Sequence, residues 1–249
     1  MWFASLLLLG SLVSCGVSAT IKPAKYYFDI CHTSDPKYND CVKKTLEKLK
    51  PQLIKGIPDL NLQSVEPLHI PKIELSEGNG NFQMKQKLTN LYIHGTSNYT
   101  LEDLSINVDG REMNYTMTFP LLEFESDYEL DGQILVLPIK GEGRANYNFT
   151  DVTIRAFTKI ETFKKKGKVY VRIKSYSLKI EPTDVHLHFS NLFNGDKVLG
   201  DSTNKFLNDN WRDAYNTYRD LPENAFAQYL KVITNNVFEK FPAEEIFPK

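Results

Sequence analysis

The 249-residue chain carries 30 Lys and Arg against 31 Asp and Glu, so its charge balance gives no electrostatic case for a nucleic-acid partner. Aromatic residues make up 12% of it, enough for either a thick core or a lined apolar cavity, and composition does not choose between them. Beyond the amino terminus no stretch reaches the ~18 consecutive apolar residues of a membrane-spanning helix.

The chain opens on a segment that reads as a secretory signal over 1–19. An apolar run begins at Leu6 to Leu9, and Val17-Ser18-Ala19 supplies the small residues of a cleavage site, although no Lys or Arg precedes the run. Leu12-Val13-Ser14-Cys15 also resembles a bacterial lipoprotein cleavage box. Removal of the signal takes Cys15 with it and leaves Cys31 and Cys41. In an oxidising compartment, two cysteines closing a short loop read as one disulfide; zinc would need a second pair of ligands at coordinating distance in the sequence, and none is there. The remaining 20–249, about 230 residues, read as one domain because no linker or change of composition divides them.

Over 31–58 the spacing predicts a helix. Asp35-Pro36 is a cap and first-turn pair, and Val42, Leu46, Leu49, Leu53 and Ile57 form one apolar stripe. Pro51 is expected to kink it, and Gly56 with Pro58 to end it. Over 62–193 the period changes to two. Met113, Tyr115, Met117 and Phe119 alternate with polar residues, as do Ala145, Tyr147 and Phe149, then Val169 to Ile173, Leu178 and Ile180, and Val185 to Phe189. Turns are expected at Asp109-Gly110, Asp131-Gly132 and Lys166-Gly167, and Gly78-Asn79-Gly80 and Gly141-Glu142-Gly143 also read as turns. The pattern is that of an antiparallel sheet with one apolar face.

Over 201–241 the chain is helical again. Leu207, Trp211, Ala214, Tyr215 and Tyr218 make one stripe, and Phe226, Leu230, Ile233, Val237 and Phe241 the next. Asp220 and Glu223 around Leu221-Pro222 have the spacing of a capping box, so a kinked pair of helices or one helix bent at Pro222 is expected. A sheet with one apolar face, flanked by two helical segments, buries that face best by curling around the helices, an α+β architecture.

No nucleophile elbow, phosphate loop, dinucleotide fingerprint or metalloprotease helix occurs, and no catalytic residue or cofactor is assigned. His186 and His188 share a strand face, but a metal would need a third ligand that the sequence does not identify. Lys164, Lys165, Lys166 and Lys168 around Gly167 read as an exposed hairpin tip, at most a transient contact for an anionic membrane surface. Asn98, Asn114 and Asn148 begin sequons, and Asn114 and Asn148 fall on the polar phase of their strands, as glycan attachment in a secreted protein requires.

Several linked segments resemble the insect takeout and juvenile-hormone-binding proteins. Cys31-His32-Thr33-Ser34-Asp35-Pro36 through Asp40-Cys41 resembles that family's amino-terminal cysteine pair. Leu49-Lys50-Pro51, Lys55-Gly56-Ile57-Pro58, Glu66-Pro67-Leu68 and Ile70-Pro71 follow in its order. Leu192-Phe193-Asn194-Gly195, Phe206 to Trp211, Phe241-Pro242 and Ile246-Phe247-Pro248 resemble its carboxy-terminal signature. The resemblance implies a highly curved antiparallel sheet wrapped around a long carboxy-terminal helix, with a shorter amino-terminal helix, enclosing an apolar tunnel. It also implies a secreted, monomeric, non-enzymatic carrier of one terpenoid, fatty-acid-like or juvenile-hormone-like molecule. The haemolymph hormone carriers have a second disulfide; no cysteine follows Cys41 here, which places the chain nearer the takeout branch.

The expected ligand-facing residues are Leu46, Leu53, Trp211, Tyr215, Phe226, Tyr229, Leu230 and Ile233 on the helices, and Met113, Tyr115, Met117, Phe119, Tyr147 and Phe149 on the sheet. A Tyr hydroxyl or buried Thr would orient the ligand's polar end. The competing expectations are a signalling protein with a solid core, in which these are ordinary core residues, and a secreted enzyme built around the histidine pair.

Overall fold

The computed structural model describes residues 21–79, 82–109, 111–134 and 137–249. The signal segment with Cys15, and the turn residues Gly80 and Gly110, lie outside the described residues. Cys31 and Cys41 are joined by a disulfide. Helix α1 (Tyr38–Lys55) follows, with Pro51 inside it and Gly56, at φ 79°, ending it. Asp35 does not cap the helix. Its carboxylate accepts from the Lys37 amide at 2.8 Å and its carbonyl from that of Tyr38 at 2.9 Å, so Asp35-Pro36 forms a turn just ahead of it.

Seven strands form one antiparallel sheet: β1 (Leu68–Asn79), β2 (Phe82–His94), β3 (Thr100–Asn107), β4 (Glu112–Ile134), β5 (Leu137–Lys165), β6 (Lys168–Glu181) and β7 (Asp184–Phe189). The order is β1-β2-β4-β5-β6, with β3 added on β4 and β7 on β5. Strands β4 and β5 run for 23 and 29 residues, against about 5–6 for an ordinary strand. They stay continuous by bending. Phe119 pairs Val152 and Leu121 pairs Thr150, but Pro120 and Asp151 between them do not pair, and Asp151 has φ 45°. The inward phase changes there on both strands, from Tyr115, Met117 and Phe119 to Leu122, Phe124 and Tyr128 on β4. A register shift between Thr89 and Tyr92 on β2, and one opposite Lys159 and Ile160 that leaves Lys174 of β6 out of the pairing, do the same. An unpaired residue bends a strand and steepens its twist, so the repeated irregularities curl the sheet into a trough.

Two expected turns are strand instead. Asp131-Gly132 lies inside β4, paired with Lys140 and Ile139. Gly141 and Gly143 lie inside β5, where the chain at Ser190–Leu192 comes too close for a side chain. A Cβ on Gly141 would sit 2.7 Å from the Tyr128 hydroxyl and 3.0 Å from the Leu192 Cα, and one on Gly143 would sit 2.9 Å from the Ser190 carbonyl. The glycines serve close approach rather than a reversal.

The carboxy-terminal region is three helices: α2 (Lys197–Asp209), α3 (Trp211–Tyr218) and α4 (Asp220–Phe238), followed by a single turn, α5 (Ala243–Ile246). Asn210 ends α2, its backbone and side-chain N–H groups both donating to the Phe206 carbonyl. Pro222 has no N–H to return to Tyr218, and the axis breaks at Arg219. The capping box does not form: no side chain caps α4, and Glu223 turns away to the sheet.

These helices cover a sheet edge through their polar side chains. Asn204 donates to and accepts from the backbone of Phe189 (both 2.9 Å), and Asn208 does the same with Leu187 (2.8 and 2.9 Å), both on β7. On β6, Asn235 pairs both ways with Ile173 (2.7 and 3.2 Å), while Glu223 and Tyr215 take the amide and carbonyl of Ile180. An open strand edge leaves a row of unpaired backbone groups; here side chains on the helices replace the missing strand. Helix α4 packs along β6 and also reaches β1 at the opposite edge, so it lies across the trough and closes it. The first and last described segments meet: Tyr27, Leu60 and Phe241 form a small separate core, and the Thr33 amide donates to the Pro248 carbonyl at 2.7 Å.

Candidate functional site

Beneath α4 the trough is hollow. The space is about 560 Å³, within the ~300–1,000 Å³ range of small-molecule sites, and every strand but β3 contributes to its wall. Of the residues expected to face a ligand, Leu46, Leu53, Tyr115, Met117, Phe119, Tyr147, Phe149, Trp211, Tyr215, Phe226, Tyr229 and Leu230 line it. Met113 and Ile233 do not. Met113 is packed against the main core, and its carbonyl accepts from the buried Thr158 hydroxyl at 2.6 Å. The bond from Asn235 to Ile173 fixes the rotation of α4 so that Phe226, Leu230 and Thr234, one helical turn apart, face the hollow. Ile233 falls to the side of that stripe.

The sequence reasoning missed much of the sheet wall. Leu88, Leu91, Ile93, Leu122, Phe124, Tyr176 and Leu187 line the hollow, with Tyr99 from the turn before β3. Phe124 and Tyr176 follow the phase changes of their strands and belong to no single alternating run. Rings cross-brace the wall: Phe124 lies 5.1 Å from Phe149 and 6.2 Å from Phe226, and Phe149 lies 5.9 Å from Tyr215.

The wall carries few polar atoms, and most are engaged. Tyr215 donates to the Ile180 carbonyl at 2.7 Å and Tyr218 to that of Gln133 at 3.0 Å. Gln86 donates to the Tyr147 hydroxyl at 2.8 Å, and Tyr115 and Tyr176 share a hydrogen bond between their hydroxyls. Burial pushes the phenols up, Tyr99 to about 12 and Tyr115, Tyr147 and Tyr176 also upward, so all are neutral at physiological pH. Arg219, at the break between α3 and α4, is the one cationic side chain in the wall among the described residues. Nothing in this set combines a nucleophile with a base; the arrangement offers apolar surface and a few hydroxyl donors.

A second hollow, about 680 Å³, is bordered by Glu74, Lys85, Lys87, Glu129, Asp131 and Lys140. Its charges pair with one another, Lys87 with Glu129 at 2.6 Å and Lys140 with Asp131 at 3.5 Å, and it is a solvated groove. His186 and His188 are exposed on the outer face of β7, and among the described residues no group of three His, Cys, Asp or Glu side chains is placed to hold a metal. Asn98 and Asn148 are exposed and Asn114 is half-buried.

The fold is thus a curled antiparallel sheet closed by helices around an apolar hollow of small-molecule size. The chain matches the family model described as "Haemolymph juvenile hormone binding protein (JHBP)" over residues 6–248, and it belongs to that family. It is 27% identical over 208 residues to the "Circadian clock-controlled protein daywake" of Drosophila melanogaster, covering 78% of each chain. The protein of that name in Drosophila yakuba is 25% identical over 205 residues, covering 78% of this chain and 77% of its own. The crystal structure of Epiphyas postvittana Takeout 1 superposes with a TM-score of 0.74 at 21% identity, over 88% of this chain and 99% of that one, and shows the same fold.

Proposed function

We propose that the protein is a secreted, non-catalytic carrier that holds one elongated apolar molecule, terpenoid or fatty-acid-like, in the hollow under α4. The observation that carries this reading is the continuity of the apolar wall around unfilled space: twelve of the expected residues and the inner faces of six strands surround about 560 Å³. A solid-core protein would fill that space with its own aromatics. Membership in a family described by the binding of juvenile hormone supports the reading. So do the disulfide and the exposed Asn98 and Asn148 sequons, which suit an oxidising secretory route.

The driving force is removal of the guest from water. A guest of about fifteen carbons gains roughly 10 kcal/mol gross at ~0.8 kcal/mol per buried methylene. Immobilisation and imperfect fit offset much of this, which leaves micromolar to nanomolar affinity. An apolar wall whose phenols are held neutral suits storage of such a guest. The test is titration with N-phenyl-1-naphthylamine, whose fluorescence rises in apolar surroundings. Saturable binding of one probe per chain, reversed by palmitic acid or methyl palmitate, is expected; a probe response that never saturates, or that no long-chain compound reverses, contradicts the carrier reading.

A further inference from the structure

Within that reading, we propose that the Tyr115–Tyr176 pair selects guests whose polar end is an acceptor-only oxygen, such as an ester, ketone or ether. The two residues flank β5: Tyr115 on β4 is opposite Ala156, and Tyr176 on β6 is opposite Thr158. Both rings reach inward past the small, buried side chain of Ala156, and their hydroxyls meet in the wall of the hollow.

Counting protons gives the specificity. Two hydroxyls carry two donor hydrogens, and the bond between them consumes one. The other has no acceptor among the described residues. A buried donor without a partner is costly, and a guest oxygen that only accepts would complete the pair without bringing a surplus donor of its own. An alcohol could also accept that hydrogen, but it brings a donor of its own that must compete for the phenols' remaining lone pairs. A carboxylate would lose its hydration shell beside two neutral phenols. Two comparable features belong to other parts of the wall: Gln63 donates to the Tyr229 hydroxyl on α4, and Gln86 to that of Tyr147, which precedes Ala156 by nine residues on β5, ~30 Å along the strand.

The experiment is competition against bound N-phenyl-1-naphthylamine with methyl palmitate, heptadecane and palmitic acid, on the intact protein. The ester is expected to displace the probe at about 3- to 10-fold lower concentration than the hydrocarbon. Tyr115→Phe alone leaves the Tyr176 hydroxyl able to donate, so the preference persists; Tyr115→Phe with Tyr176→Phe removes it and leaves heptadecane unchanged. Both changes preserve the rings and hence the wall. Equal displacement by ester and hydrocarbon in the parent protein overturns the proposal, as does an ester preference that survives the double change, one that disappears with Tyr147→Phe instead, or tighter binding of the free acid. Failure of every variant to take up the probe at all removes the carrier reading itself, a different result from a carrier that ignores the oxygen.

Discussion

Glu223 on α4 accepts the backbone amide hydrogen of Ile180 on β6 at 2.8 Å, a bond from a helix carboxylate to an open strand edge. Burial pushes the Glu223 carboxyl above its ordinary value of 4.5, against the opposing pull of the Ile180 amide and of Arg219. A raised acid binds protons more readily in the folded than in the unfolded chain, so its charge costs stability at neutral pH, and stability rises as pH falls toward 4.5. Glu223→Gln keeps the acceptor and removes the charge. It is expected to raise Tm at pH 7, with the gain vanishing near pH 4.5 in a pH series of thermal melts. Glu223→Ala orphans the amide and is expected to cost about 1–3 kcal/mol.

Glu66 has the opposite sign. Burial would raise its carboxyl, but the amides of Ser97 and Gly95, each donating at 2.9 Å, outweigh that and hold it below 4.5. Its contribution is present above pH 4.5 and is lost as pH falls through the lowered value. Glu66 fastens the turn that brings Thr96 to the rim of the hollow. Glu66→Ala is expected to destabilise the fold by about 1–3 kcal/mol at pH 7 and to flatten the acid limb of the stability curve, read by urea unfolding at stepped pH.

The edge-covering amides make a local prediction. Asn208→Ala leaves both the amide and the carbonyl of Leu187 without their partner. The expected cost is about 1–3 kcal/mol, and hydrogen exchange at Leu187 should quicken well beyond any change on the central strands β4 and β5.

The wall assignment separates two residues that the helical stripe treats alike. Phe226→Trp adds bulk directly into the hollow and is expected to weaken probe binding about tenfold with little effect on folding. Ile233→Trp adds more bulk, but beside the stripe, and is expected to leave binding unchanged. Equal effects at both positions would mean that α4 is rotated from its position here.

The helices and the sheet were legible from period alone, because Leu46 and Leu53, Trp211 and Tyr215, and Phe226 and Leu230 each repeat at helical spacing on one buried face. Tyr115, Met117 and Phe119, and Tyr147 with Phe149, likewise follow from alternation on one apolar face, and they line the hollow. What period cannot convey is the phase change at Pro120 and Asp151, which carries Phe124 inward, or the one before Tyr176, because both depend on where the sheet bends. Gly141 and Gly143 looked like turn residues because a glycine needed for close approach carries the same local signature as one needed for a reversal. The Glu223 box failed for a related reason: the carboxylate had a better partner 43 residues away. Hollowness itself was implied only by resemblance, since a lined cavity and a solid core use the same side chains.

The most direct measurement is native mass spectrometry of the full chain secreted from eukaryotic cells, before and after denaturation, with solvent extraction of whatever is released. A reproducible excess equal to one small apolar molecule per chain, lost on unfolding and much reduced by Phe226→Trp, is the expected result. A mass that matches the bare polypeptide with its glycans and stays so after incubation with methyl palmitate or palmitic acid would contradict it.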